Sequence, residues 1–180
     1  MRFLPALIVL LIAAAHLPPP ARAEPATAAP SVQGLIMPTI VPPNAITCHD
    51  FRNRIVNIVD VRALGDAGRA EFIPGQGPVI MIDPELMATL PAKLQTFFKL
   101  HECGHHALGH LMAPSDRSEK DADCWAIQHG RDTGVFTRYE IANWLPFFAK
   151  STGSIFGHLP GPQRVDFLLG CFDGNDPLKP

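Results

Sequence analysis

Residues 100–112 read Leu100-His101-Glu102-Cys103-Gly104-His105-His106-Ala107-Leu108-Gly109-His110-Leu111-Met112. Two residues four positions apart lie one turn up on nearly the same face of a helix, so His101 and His105 can aim two imidazoles at one ion. Glu102 is angularly adjacent, close enough to handle a proton at the ion without binding it. Working outward, Leu94, Phe97 and Phe98 precede the histidines at helical spacing, and Leu108 and Met112 follow. The pattern predicts a helix from about Pro91, a residue favoured in a first turn, to Met112, where Ala113-Pro114 stops it.

Two imidazoles and a water leave zinc one protein ligand short of a catalytic set. His110 is the nearest candidate. In the pattern H-E-x-x-H-x-x-G-x-x-H a chain reversal brings a third histidine back to the metal, but here Gly109 and His110 are each out of register by one. On a continuous helix His110 is turned away from the His101/His105 face and reads as a capping or packing residue. The better ligand is on the next helix, expected from Ser115 or Asp116 to about His129 and stopped by Gly130. It carries Glu119-Lys120-Asp121-Ala122-Asp123-Cys124-Trp125-Ala126. Glu119 and Asp123 share a face, so a metal-binding Glu119 places Asp123 where it can hold a ligand imidazole by its other ring nitrogen. Ala122 and Ala126 permit close approach of the two helices.

These stretches, His101 to His110 and Glu119 to Ala126, together with His158-Leu159-Pro160-Gly161-Pro162-Gln163-Arg164, resemble the gluzincin metallopeptidases of the HtpX and CAAX-prenyl-protease family. The third stretch is similar to that family's H-P-x-x-x-x-R, with Leu159 pushing the proline one place late. The resemblance spans about residues 79 to 170. It implies a single zincin-like α+β domain, mostly α, with one zinc per chain bound by His101, His105 and Glu119. It further implies Glu102 as general base, Asp123 behind the ligands, and His158 and Arg164 near the substrate oxyanion. The family's membrane spans have no counterpart here.

The rest of the chain bounds the setting. Arg2, the apolar run Phe3 to Ala15 and the small-x-small site Ala21-Arg22-Ala23 read as a leader over 1–23, too short to span a bilayer. Residues 24–44, rich in Pro, Ala and Thr, read as a linker or arm; 45–172 form the metallopeptidase-like domain and 173–180 a flexible tail. Without Arg2 and Arg22, the 15 basic residues fall to 13 against 17 acidic ones, with no run of either sign. That balance implies neither nucleic acid nor an anionic membrane as partner, and polypeptide is the expected substrate. The leader and an even set of four cysteines place the chain in the periplasm or outside the cell, with disulfides. The expected pairing is Cys103 to Cys124 and Cys48 to Cys171.

Secondary structure completes the expectation. A helix is predicted from Thr47 to about Leu64, then a β-hairpin of Ala70 to Ile73 and Val79 to Ile82 around Pro74-Gly75-Gln76-Gly77-Pro78. Further helices follow over Thr137 to Lys150 and Pro162 to Gly170, giving a mostly α domain with a small antiparallel sheet. Val79 to Ile82 either borders the cleft or covers the core. His49, His106 and His129 read as surface or core residues, and Trp125, Trp144, Phe147 and Phe148 as packing. The leading function is zinc-dependent hydrolysis of exposed or unfolded polypeptide. The alternatives are a zinc-holding envelope protein without turnover, for which Glu102 has no purpose, and an interaction module that docks through the arm.

Overall fold

A computed structural model describes residues 46–155 and 157–175. The leader (1–23), the arm (24–44) and the tail from 176 lie outside the described residues. The described elements all fall within one unit, Val41–Pro180.

The first element corrects the expectation of a helix over 47–64. Asp50 turns the chain there: its carboxylate accepts from the backbone N–H groups of Arg52 and Arg54 at 3.0 and 2.8 Å. Its other oxygen pairs with the Arg54 guanidinium at 2.6 Å. Such side-chain bonds compete with helical ones. The β-branched residues Ile55, Val56, Ile58 and Val59 then favour extended backbone, forming a bridge between His49 and Ile55 and the strand β1, Asn57–Asp60.

The hairpin forms as expected from β2, Gly68–Ile73, and β3, Gly77–Ile82, which pair antiparallel with Ala70 opposite Ile80. The sheet is mixed rather than antiparallel, because β1 joins β3 in parallel with Ile58 opposite Ile80. The order β1-β3-β2 puts β3 in the middle. Its Val79, Ile80 and Ile82 are buried.

A one-turn helix, α1 (Pro84–Met87), is capped by Asp83, whose carboxylate accepts from the N–H groups of Glu85 and Leu86. Helix α2 (Ala92–Ala107) and helix α3 (Ser118–Asp132) run near their expected spans, but α2 stops five residues before Met112. Gly109 takes a φ of +75°, the left-handed conformation that ends helices. The helix expected over 137–150 is two short ones, α4 (Arg138–Ala142) and α5 (Leu145–Phe148). Pro146 cannot donate the bond that would continue α4 into α5. The final helix α6 covers Gly161–Phe172.

Helix α2 separates two cores. On one side Leu94, Phe97 and Leu100 pack with Ile127, Trp144 and Leu168; on the other Cys103 packs with Val56, Ile80 and Met87 beneath the sheet. Helix α3 lies close on α2, since a Cβ on Gly104 would sit 3.2 Å from the Cα of Ala122. This arrangement overturns the expected disulfides. Cys103 is two residues, about 200°, around the helix from His101 and joins Cys48 in the smaller core, while Cys124 joins Cys171 of α6 in the larger. On the chain-entropy account each bond is worth about 4 kcal/mol. Among the described residues no helix is long and apolar enough to cross a membrane.

Candidate metal centre

His101 and His105 come from the buried C-terminal half of α2, and Glu119 from the first turn of α3. Their donor atoms converge. The two Nε2 atoms are 3.2 Å apart, and Glu119 Oε2 is 3.2 Å from that of His101 and 3.4 Å from that of His105. Bonds of about 2.0 to 2.1 Å in tetrahedral array place ligand atoms about 3.3 to 3.4 Å apart. The three atoms therefore have the mutual spacing that one small divalent cation needs, and the group can hold a metal ion.

The far nitrogens fix this orientation. His101 Nδ1 lies 2.8 Å from Asp123 Oδ1. Asp123 in turn accepts two bonds from Arg164, at 2.9 and 2.7 Å. Arg164 is buried, over the rings of Phe97 and Phe148. Its carboxylate partner is thus Asp123. His105 Nδ1 lies 3.1 Å from Nδ1 of His110. The sequence reading missed this pair, because it continued the helix past Ala107; Gly109 reverses the chain and carries His110 back over His105. A glycine one residue before a histidine, just past a helix end, is the signal that could have shown it.

Glu102 is buried beside these groups, and its carboxylate has no hydrogen-bond partner among the described residues. Gly68, at the start of β2, leaves room for it: a Cβ there would sit 2.9 Å from Glu102 Cγ. His158, from the loop before α6, reaches Glu119 Oε2 with its Nε2 at 2.6 Å, and its Nδ1 is bonded to Ser154 Oγ at 2.8 Å. His106 is also partnered: its Nε2–H donates to the Val79 carbonyl at 2.8 Å, tying α2 to β3. His129 stacks on Trp125.

Electrostatics follow from this crowding. Burial disfavours the charged form of His101, but Asp123 and Glu119 outweigh it and raise its pKa from 6.5 to about 9. Burial likewise opposes ionisation of Glu119, yet the hydrogen bonds from His101, His105 and His158 hold it far below the usual carboxylate range. Asp123 is also lowered, Arg164 and His101 overcoming its burial. His110 is lowered, by burial and by the adjacent His105. Without a metal, a proton on His101 answers the facing carboxylates, the part a bound cation would play.

Two cavities meet at the centre and share Asp66, His101, Glu102 and His158 as walls. One, of about 450 Å³, has Arg69, His105, His110, Ser115, Ser118 and Glu119 in its lining. The other, of about 360 Å³, has Leu86, Leu90, Leu94, Phe98, Phe147 and Phe148 in its lining. The cleft is bordered by β2 rather than β3: β3 is paired on both sides, and Gly68, Arg69 and Ala70 of β2 line the cavity that contains Glu119. Comparisons with protein-family models, with characterised proteins and with solved structures found no match.

Proposed function

We propose that the chain is an exported, zinc-dependent endopeptidase of zincin-like fold, acting on exposed or unfolded polypeptide. The observation that carries the reading is the convergence of His101, His105 and Glu119 at tetrahedral spacing, with the Glu102 carboxylate, which has no hydrogen-bond partner among the described residues, beside it in an open cleft. Zinc held there would supply Lewis acidity, bringing the pKa of a water to about 7 and polarising a peptide carbonyl. The preference for zinc over other cations rests on the donors, two imidazoles and one carboxylate. Two disulfides and the leader sequence support an oxidising compartment.

The chain's own residues supply the rest. Glu102 takes a proton from the attacking water and returns it to the leaving amine. Asp123 and Arg164 hold His101 in place, and Arg164 also lines the cleft. His158, in the wall of both cavities, would turn from Glu119 to donate to a carbonyl oxygen that gains negative charge, and Ser154 holds the other side of its ring. The outer edge of β2, with no neighbouring strand among the described residues, is suited to pair with an extended substrate.

The test is metal analysis together with digestion of an unfolded protein. About one zinc per chain is expected. Glu102→Gln keeps the side chain's length but removes the base, so zinc content and fold should persist while cleavage is lost. Cleavage by Glu102→Gln at the wild-type rate would remove Glu102 as the base, and a wild-type protein that loads zinc and cleaves nothing would favour the zinc-holding protein without turnover.

A further inference from the structure

We infer that an exposed apolar patch beyond the metal centre, built from Phe51, Phe72, Leu111 and Met112, is an exosite for polypeptide. It holds an apolar stretch of the substrate chain that begins about four residues from the cleaved bond; this rests on the peptidase reading above. The four side chains surround one shallow depression and are 39 to 64% exposed. Apolar side chains exposed singly are ordinary, whereas several large ones around one point mark a binding surface.

The patch is preformed, because backbone pairing fixes each part of it. The Phe51 N–H donates to the His106 carbonyl at 3.0 Å, which pins Phe51 to the last turn of α2. Its ring rests on Gly109, where a Cβ would sit 3.5 Å from Phe51 Cγ. The Met112 N–H donates to the Gly109 carbonyl at 3.0 Å, and Phe72 stands opposite Pro78 in the hairpin. The guanidinium groups of Arg52 and Arg54 lie over the rings of Phe51 and Phe72, 4.9 and 5.4 Å from their centroids, and widen the contact surface. The depression encloses only about 20 Å³, far below the roughly 300 Å³ at which ligand pockets begin. Such a surface takes side chains laid across it, not an enclosed small molecule.

Polypeptide is the occupant because a strand edge joins the patch to the metal centre. Gly68, Ala70 and Phe72 alternate along β2 and so lie on one face of the sheet. Gly68 and Ala70 line the cavity that contains Glu119, and Phe72 lines the patch. His105 and Leu111 border both, so the two are continuous. The outer edge of β2 has no neighbouring strand among the described residues. At about 3.3 Å per residue, a chain paired along that edge passes from Gly68, against Glu102, to Phe72 in about 13 Å. A lipid has no backbone to pair with the edge, and a second copy seated there would close the cleft that the substrate must enter.

The experiment uses the oxidised, zinc-loaded protein and peptides that share one cleaved core sequence. A tail of Leu and Phe, or a control tail of Gly and Ser, begins about four residues beyond the bond on either side. On one side the Leu/Phe tail should lower KM by roughly 10- to 100-fold against the Gly/Ser tail, with kcat within about twofold. Met112→Asp and Phe51→Ser should each remove most of that advantage, while zinc content and turnover of the core peptide without a tail stay unchanged. Fluorescence anisotropy of the tailed peptides in the Glu102→Gln background reads binding apart from cleavage. Equal KM for the two tails, or an advantage that survives in the variants, overturns the exosite and leaves the peptidase reading intact. Tails without effect, with variants that instead lose binding to phosphatidylglycerol vesicles or lose a concentration-dependent dimer, overturn it in favour of a lipid surface or a second copy. If no peptide is cleaved, yet the Leu/Phe tail binds to the patch and not to its variants, the patch stands as a polypeptide-binding surface and the peptidase reading falls. No cleavage and no difference in binding between the tails removes both.

Discussion

His101 and His105 sit one turn apart on the same helix, but the chain holds their far nitrogens by different chemistry. Behind His101 stands a buried carboxylate, itself clamped by a buried guanidinium. Behind His105 stands a half-buried imidazole delivered by a chain reversal just past the helix end. The first support is charged, belongs to α3 and α6, and ties the centre to the larger core. The second is neutral and local. For His105 to present the Nε2 lone pair to a metal, its Nδ1 must carry the proton, and Nδ1 of His110 must accept it. One ligand is thus coupled to the stability of the whole domain, the other to a single turn.

The sharpest way to break the contrast is Asp123→Ala. It strands Arg164 without its carboxylate and releases His101, so a loss of about 3 to 5 kcal/mol of stability is expected, together with about a 10- to 100-fold loss of zinc affinity. Denaturant unfolding and a zinc-competition titration read the two effects separately. An Asp123→Ala protein as stable as wild type would show that the charged support does not bear on the fold.

A smaller effect concerns pH. In the metal-free protein the pKa of His101 is raised from 6.5 to about 9. A raised folded-state pKa gives stability that is fully present below about pH 6.5 and is lost as pH rises through about 9. The melting temperature of the metal-free protein should therefore fall over that window, and Asp123→Asn should flatten the fall. A bound zinc would take the place of the proton, so the loaded protein should show no such decline. A flat profile for the metal-free wild type would count against the geometry around His101.

The smallest effect is predicted for His110→Ala: about a tenfold loss of zinc affinity, with a change in stability within about 1 kcal/mol, since the residue is half-buried and outside both cores. His110→Asn, which can still accept a hydrogen bond, should recover part of the affinity. If His110→Ala lost as much stability as Asp123→Ala, the distinction between the two supports would collapse.

What could be read beforehand follows the same division. His101, Glu102 and His105 were legible because helical periodicity alone brings them together, and Glu119 with Asp123 because the next amphipathic segment repeats that spacing. The hairpin was legible from its turn residues. Residues whose placement depends on how one element rotates against another were not. Cys103 was expected to pair with Cys124 rather than Cys48, because a helix over 47–64 leaves no reason for the segment around Cys48 to lie beneath the sheet. His110 failed for a similar reason: one left-handed residue, Gly109, changes what five residues of sequence separation mean. Arg164 could be tied to the site only through the resemblance; that it clamps Asp123 emerges once α6 is docked on α3.

The bond between Cys48 and Cys103 also bears on the order in which the molecule matures. Before oxidation the chain offers a thiol two residues from each of His101 and His105, and a thiolate is a soft donor that zinc accepts readily. A reduced, unfolded chain therefore contains a competing binding mode within the motif itself. Pairing Cys103 with Cys48, and Cys124 with Cys171, removes all four sulfurs from that competition. A metal ion would then be left with imidazole and carboxylate, so oxidation that preceded metal loading would act as a proofreading step, and zinc supplied to the reduced chain should slow the formation of the first disulfide.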